Sequence, residues 1–150
     1  MRRTTAFLIV FILAGAGTAA NSADSNIAQR PDVIAFKAAM DPANGAPIRQ
    51  SEFHPKKGYS RYTEAELGGY FPERAMRMAT SGAAVVQCSM AAAGDLSDCS
   101  ILAEAPHDFG FGDASLKMAK SGYLTAKPDA ADRDGQAVRM VVVFKYPGGR

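Results

Sequence analysis

The segment VRMVVVFKY, Val138 to Tyr146, constrains the fold more than any other stretch of the chain. Its alternation sets Met140, Val142, Phe144 and Tyr146 on one face and Arg139, Val141, Val143 and Lys145 on the other, the two-residue period of a strand built from β-branched and aromatic residues. A strand cannot satisfy its own backbone groups or bury its own apolar face, so its partners must lie elsewhere in the sequence.

Two segments supply them. Ala83 to Met90 (AAVVQCSM) is apolar on one parity, at Ala84, Val86, Cys88 and Met90. Leu96 to Glu104 (LSDCSILAE) alternates Cys99, Ile101 and Ala103 against Asp98, Ser100 and Leu102. AAAGD between them holds the glycine of a three- to five-residue hairpin loop. A loop of Ala92 to Asp95 sets Ala91 opposite Leu96 and Cys88 opposite Cys99. A three-residue loop with a bulge at Gly94 offsets the cysteines near the turn, and the bulge can restore their alignment further along. Facing residues have Cβ atoms about 4.5–5.5 Å apart, close enough for a disulfide after slight adjustment.

Two helices flank the strands. FPERAMRMATSG has Pro72 at its first position, an early Glu73 and Gly82 past its end; Ala75, Met76 and Ala79 are spaced to face a core, and Arg74 and Arg77 to face water. DASLKMAKSG reads as a helix over Asp113–Lys120, with Leu116 and Ala119 inward, Lys117 and Lys120 outward, and Gly122 as terminator. Thr63 to Glu66 (TEAE) offers a capping box just upstream. The order α-β-β-α-β predicts an α+β two-layer sandwich, a three-stranded antiparallel sheet packed by two short helices. The last strand then pairs with the first, and Arg139, Met140, Val141, Val142, Val143, Phe144 and Lys145 form an edge able to bind an extended peptide. Arg139 and Lys145 equally suit the protection of an edge from aggregation.

The chain begins MRR, then runs apolar from Ala6 to Leu13, then reaches small residues up to Ala23. That is the layout of a secretory signal peptide over residues 1–23, with a membrane anchor over residues 6–20 as the alternative. Without Arg2 and Arg3, the 17 Lys and Arg of the chain fall level with its 15 Asp and Glu, which removes any global electrostatic pull toward nucleic acid or an anionic membrane. Residues 24–60 read as a poorly structured leader broken by Pro31, Pro42, Pro47 and Pro55, within which Val33 to Met40 can make two helical turns. Residues 61–147 form the folded domain, and the exported product belongs to the periplasm.

The two cysteines, Cys88 and Cys99, admit a metal site, a redox pair or a staple. Export and an even count favour one disulfide; a C-x-x-C motif is absent, and zinc would need His54 and His107 at spacings that are not ligand-like. Gly110-Phe111-Gly112 before a helix lacks the third glycine, at Ser115, and the βαβ context of a dinucleotide loop. Ala130 to Gly135 (AADRDG) resembles a calcium loop but has Ala130 at its first position and Val141 at its twelfth. His107, Asp108 and Ser115 can be drawn as a triad, yet no nucleophile elbow surrounds the serine. The expectation is a non-enzyme with no cofactor, no metal, no catalytic residue and no small-molecule substrate.

Taken in order, YFPERAMRMATSG, VVQCSMAAAGDLSDCSILAE, FGFGDASLKMAK and DGQAVRMVVVFKY resemble the C-terminal domain of TonB, the periplasmic part of an energy transducer that engages outer-membrane receptors. The resemblance spans about residues 60–147, and the paired cysteines with Gly-Phe-Gly resemble a subgroup in which a hairpin disulfide is expected. It implies a protein-binding domain linked to transport through TonB-dependent receptors, whose N-terminal box adds as a strand to the last strand. The cleavable signal and short leader depart from the long Pro-rich spacer of a true transducer. The alternative is a structural or assembly protein of the cell envelope, a scaffold or a homodimer, with no energy-transducing role.

Overall fold

The computed structural model describes residues 27–54 and 69–148. The signal-peptide and anchor segments and the Thr63–Glu66 capping box lie outside the described residues. Among the described residues no helix is long and apolar enough to cross a membrane.

Strands β2 (Gly82–Met90), β3 (Leu96–Ala105) and β5 (Gln136–Phe144) form the expected antiparallel sheet in the order β3-β2-β5. One face carries Ala84, Val86, Cys88, Met90, Val138, Met140, Val142 and Phe144, all buried, as the alternation of each strand dictates. Helices α2 (Glu73–Arg77) and α3 (Phe111–Lys120) contribute Ala75, Phe111, Ala114, Met118 and Ala119 to the same core. Phe71, Phe111 and Phe144 meet with ring centroids 5.3–6.2 Å apart, the range in which aromatic pairs attract beyond simple burial.

The helix ends differ from the sequence expectation in instructive ways. Pro72 is the N-cap of α2, and the helix closes at Ala79 rather than near Gly82. Ala79 adopts φ +48°, and the Thr80 amide donates back to the Ala75 carbonyl at 2.9 Å, the six-to-one closure of a Schellman motif. Gly82 instead begins β2, where a Cβ would stand closer than 3.0 Å to the Phe111 ring. Helix α3 starts two residues earlier than Asp113 because the Glu104 carboxylate accepts from the Gly112 amide at 2.7 Å. Gly112 also leaves room for Ile101, which would lie within 3.0 Å of any Cβ there.

The hairpin turn is longer than the four-residue loop considered above. Met90 pairs with Leu96 and Ser89 with Ser97, so five residues, 91–95, make the connection. A register shift between Gln87 and Ser89 follows, where Asp98 takes φ +49°; beyond it Gln87 pairs with Ser100. The bulge therefore sits at Asp98, not Gly94, and it is what restores Cys88 and Cys99 to a Cα separation of 4.0 Å.

The leader is the larger revision. Residues 27–54 are not a poorly structured approach to the domain. Pro31–Met40 forms helix α1, with Asp32, Val33, Phe36, Ala39 and Met40 buried or half-buried on one side. It covers the sheet face opposite α3, which bears Val85 and Arg139, and so adds a third layer. Further on, β1 (Ser51–Phe53) pairs antiparallel with β4 (Leu124–Ala126), a short strand inside what the sequence presents as a connection.

Candidate functional site

The outer side of β5 is the surface on which the sequence places partner binding. Its register on β2 is unbroken from Gly82 opposite Phe144 to Met90 opposite Gln136. Its N–H and C=O groups therefore point alternately toward β2 and away from it. Arg139 is one of the outward residues: its amide donates to the Pro47 carbonyl and its carbonyl accepts from the Arg49 amide, both at 2.8 Å. By alternation Val141 and Val143 are outward too.

The leader occupies the first part of this edge. Ile48 bridges Arg139 in parallel, and the Ser51 hydroxyl donates to the Val141 carbonyl at 3.0 Å. The chain then turns away into β1. The Arg139 side chain, which the sequence offers as a binding or guarding group of the edge, is 1% exposed. Its Nε donates to the Ala46 carbonyl at 2.6 Å, Nη1 to Ala39 at 2.8 Å and Nη2 to Asp41 at 2.9 Å. Two of those carbonyls belong to the C-terminal end of α1, where the partial negative charge of the helix favours a cation. The planar guanidinium fork thus ties helix, strap and strand together in a way an ammonium cannot. It is neither an edge guard nor an available binding group.

One ion pair and one backbone hydrogen bond to a carboxylate fasten the leader at other points. The Arg49 guanidinium holds Asp132 through both carboxylate oxygens, with Nε to Oδ2 at 2.7 Å. That contact, with the Asp129 amide, lowers the Asp132 carboxyl to about 2 and raises Arg49 above its ordinary value. At the start of α1 Asp32 is buried, which by itself raises its pKa; the Arg30 guanidinium at 2.6 Å and the His107 amide outweigh this and hold it below the ordinary value.

Past Val141 the edge opens. Among the described residues no segment pairs with the outward backbone of Val143, whose side chain is 59% exposed. Beside it lies a groove of about 300 Å³ lined by Phe53, Phe71, Met118, Val142, Val143, Phe144 and Lys145. Of the expected edge residues, Met140, Val142 and Phe144 direct their side chains into the core, whereas Lys145 is exposed and is the one charged residue on the groove wall among the described residues. Sequence reasoning missed Phe53, Phe71 and Met118 as groove residues. Phe71 lies within a quoted motif, but neither periodicity nor composition brings it beside residues 142–145.

The other residues singled out in the sequence have structural employment. Cys88 and Cys99 are bonded to each other on the hairpin; Cys88 lies opposite Val138, at the end of β5 remote from Val143. Ser115 is buried and donates to the Phe111 carbonyl at 2.8 Å, so its hydroxyl faces its own helix rather than His107. His107 and Asp108 pair at 2.6 Å on an exposed loop, and His54 Nε2 meets the Thr125 hydroxyl at 2.7 Å. Gly110-Phe111-Gly112 starts α3 and plugs the core with Phe111.

Helices on a three-stranded antiparallel sheet, with the last strand half open among the described residues beside an apolar groove, define a class of small α+β domains. The chain belongs to the TonB C-terminal family, for the family profile described as Gram-negative bacterial TonB protein C-terminal matches residues 69–146. It is a TonB-like envelope protein with a periplasmic-type domain. The match runs from just before α2 to just past β5, and α1 with the strap over β5 lies outside it. No curated protein matches the chain.

Proposed function

We propose that this is a non-catalytic periplasmic module that binds an extended segment of a partner protein by strand addition along the open half of β5. The observation that carries the reading is the outward backbone of Val143, unpaired among the described residues, beside the groove of Phe53, Phe71 and Met118. Backbone groups of that kind supply affinity to an added strand, and pockets for its alternate side chains supply choice. Family membership favours the N-terminal box of a TonB-dependent outer-membrane receptor as the partner, and transport through that receptor as the process served. The reading includes export to the periplasm by a signal peptide over residues 1–23; mass spectrometry should then find a mature N-terminus near residues 21–24, and a product that keeps residues 6–20 would favour the anchored form instead. Titrating labelled receptor-box peptides should move the amide resonances of residues 142–146, and no movement there at high peptide concentration refutes the reading.

A second reading, an envelope scaffold that self-associates, is favoured by the other sheet edge, where Ile101 and Leu102 of β3 are 39% and 41% exposed. Sedimentation separates the two: a monomer at high micromolar concentration rules out the homodimer.

A further inference from the structure

Resting on the reading of β5 as a binding edge, we infer that leader and partner divide that edge between them. Residues 47–51 keep Arg139 to Val141, and the partner is a short extended peptide that pairs from Val143 onward. It seats one bulky apolar side chain in the groove of Phe53, Phe71 and Met118 and sets a carboxylate near Lys145.

The division follows from how the strap is held. To free Arg139 and Val141 for a partner, the Pro47 and Arg49 backbone bonds must break, and the buried guanidinium of Arg139 must lose the Ala39, Asp41 and Ala46 carbonyls. The Arg49–Asp132 ion pair tethers the same segment. A buried cation stripped of its acceptors is among the costliest states a protein can adopt, so a partner strand gains little by invading there. The strap is fixed, and among the described residues the edge is open from where the strap turns away at Ser51.

What remains is short. From Val143 to Lys145 the edge extends only about 10 Å at strand rise, with the outward backbone of Val143 and its continuation at Lys145 to pair. A few net hydrogen bonds of that kind give an affinity no better than about millimolar. The rest must come from a side chain, and the geometry says which. A strand beside β5 places alternate residues on the face of Val142 and Phe144, and that face meets the groove walled by Phe53, Phe71 and Met118. The walls are aromatic and aliphatic, suited to Phe, Leu or Met, and Lys145 supplies the complementary charge for an acidic neighbour.

The test uses the disulfide-bonded chain and heptapeptides alternating Thr and Val, with a central Phe and Glu at both ends. Companion peptides carry Ala for Phe, or Lys for both Glu residues. The expected result is movement of the Val143 to Tyr146 amides by the Phe peptide while the Arg49 amide stays protected from exchange. The Ala peptide should bind at least about tenfold more weakly. Lys145→Glu should reverse the preference between the Glu and Lys peptides. Loss of Arg49 protection on binding, or equal affinity for the Phe and Ala peptides, overturns this inference and leaves edge binding standing. Silence at Val143 to Tyr146 toward these peptides and receptor-box peptides alike removes both.

Discussion

Replacing Arg139 by methionine keeps most of the side-chain volume and removes every donor. Three carbonyls, those of Ala39, Asp41 and Ala46, then lose partners that stood at 2.6–2.9 Å. Hydrogen bonds from a charged donor contribute about 1.5–3 kcal/mol each, so a simple sum would exceed about 4 kcal/mol. Two effects reduce it. The cost of burying the cation, several kcal/mol, disappears with the cation. Asp41 is also exposed, so water can reach its carbonyl in the variant. A net loss of about 2–4 kcal/mol remains.

For a folded unit of this size that loss lowers the melting temperature by roughly 10–25 °C, provided α1 and the strap melt with the sheet. Thermal and urea unfolding measure the global change, and amide exchange at Arg49, whose N–H bonds the Arg139 carbonyl, measures the local one. Arg139→Lys should fall between wild type and Arg139→Met, because one ammonium cannot span three carbonyls in the plane of a guanidinium. Unchanged melting together with an equally protected Arg49 amide in Arg139→Met would refute the claim that this side chain fastens the leader. Lost protection with unmoved melting would instead refute the coupling between leader and sheet.

Cys88→Ser with Cys99→Ser opens a link across 11 residues and should cost about 3 kcal/mol in the chain-entropy account; peptide affinity at the Val143 end of β5 should be unaffected, since Cys88 lies opposite Val138 at the other end of that strand, and identical melting of oxidised and reduced protein would contradict the first part. Gly82→Ala drives a methyl into the Phe111 ring and should destabilise by about 1–3 kcal/mol, which denaturant unfolding will show. Asp132 is lowered in the folded chain from an ordinary 3.8 to about 2, so its stabilising contribution is complete above the unfolded value and fades as pH falls from about 4 toward 2. Asp132→Asn should therefore be less stable than wild type at neutral pH and should lose less stability through that acid window; parallel acid-denaturation curves would refute the assignment.

Much of the sheet was legible because its information is local. The alternation in residues 83–90, 96–104 and 138–146 specifies three strands and their buried faces, and a glycine loop of short length makes the first two a hairpin. Even the helix over residues 31–40 left a trace, since Val33, Phe36 and Met40 recur at helical spacing. The bulge at Asp98 left none. A positive φ at a non-glycine residue answers to the pairing of two strands and the bond between their cysteines, not to the residue type alone.

The sequence by itself determined the α+β class, the order of the three sheet strands and the two helices on their core face, and the cysteine hairpin. Only the tertiary structure decided that the leader belongs to the fold, that Arg139 is buried and that half of the β5 edge is already occupied. The reason is physical. Arg139 is held by main-chain oxygens 93–100 residues away in the chain, at Ala46, Asp41 and Ala39. A carbonyl oxygen is the same in every residue, so no spacing or composition announces it; only folding brings the three together around one guanidinium.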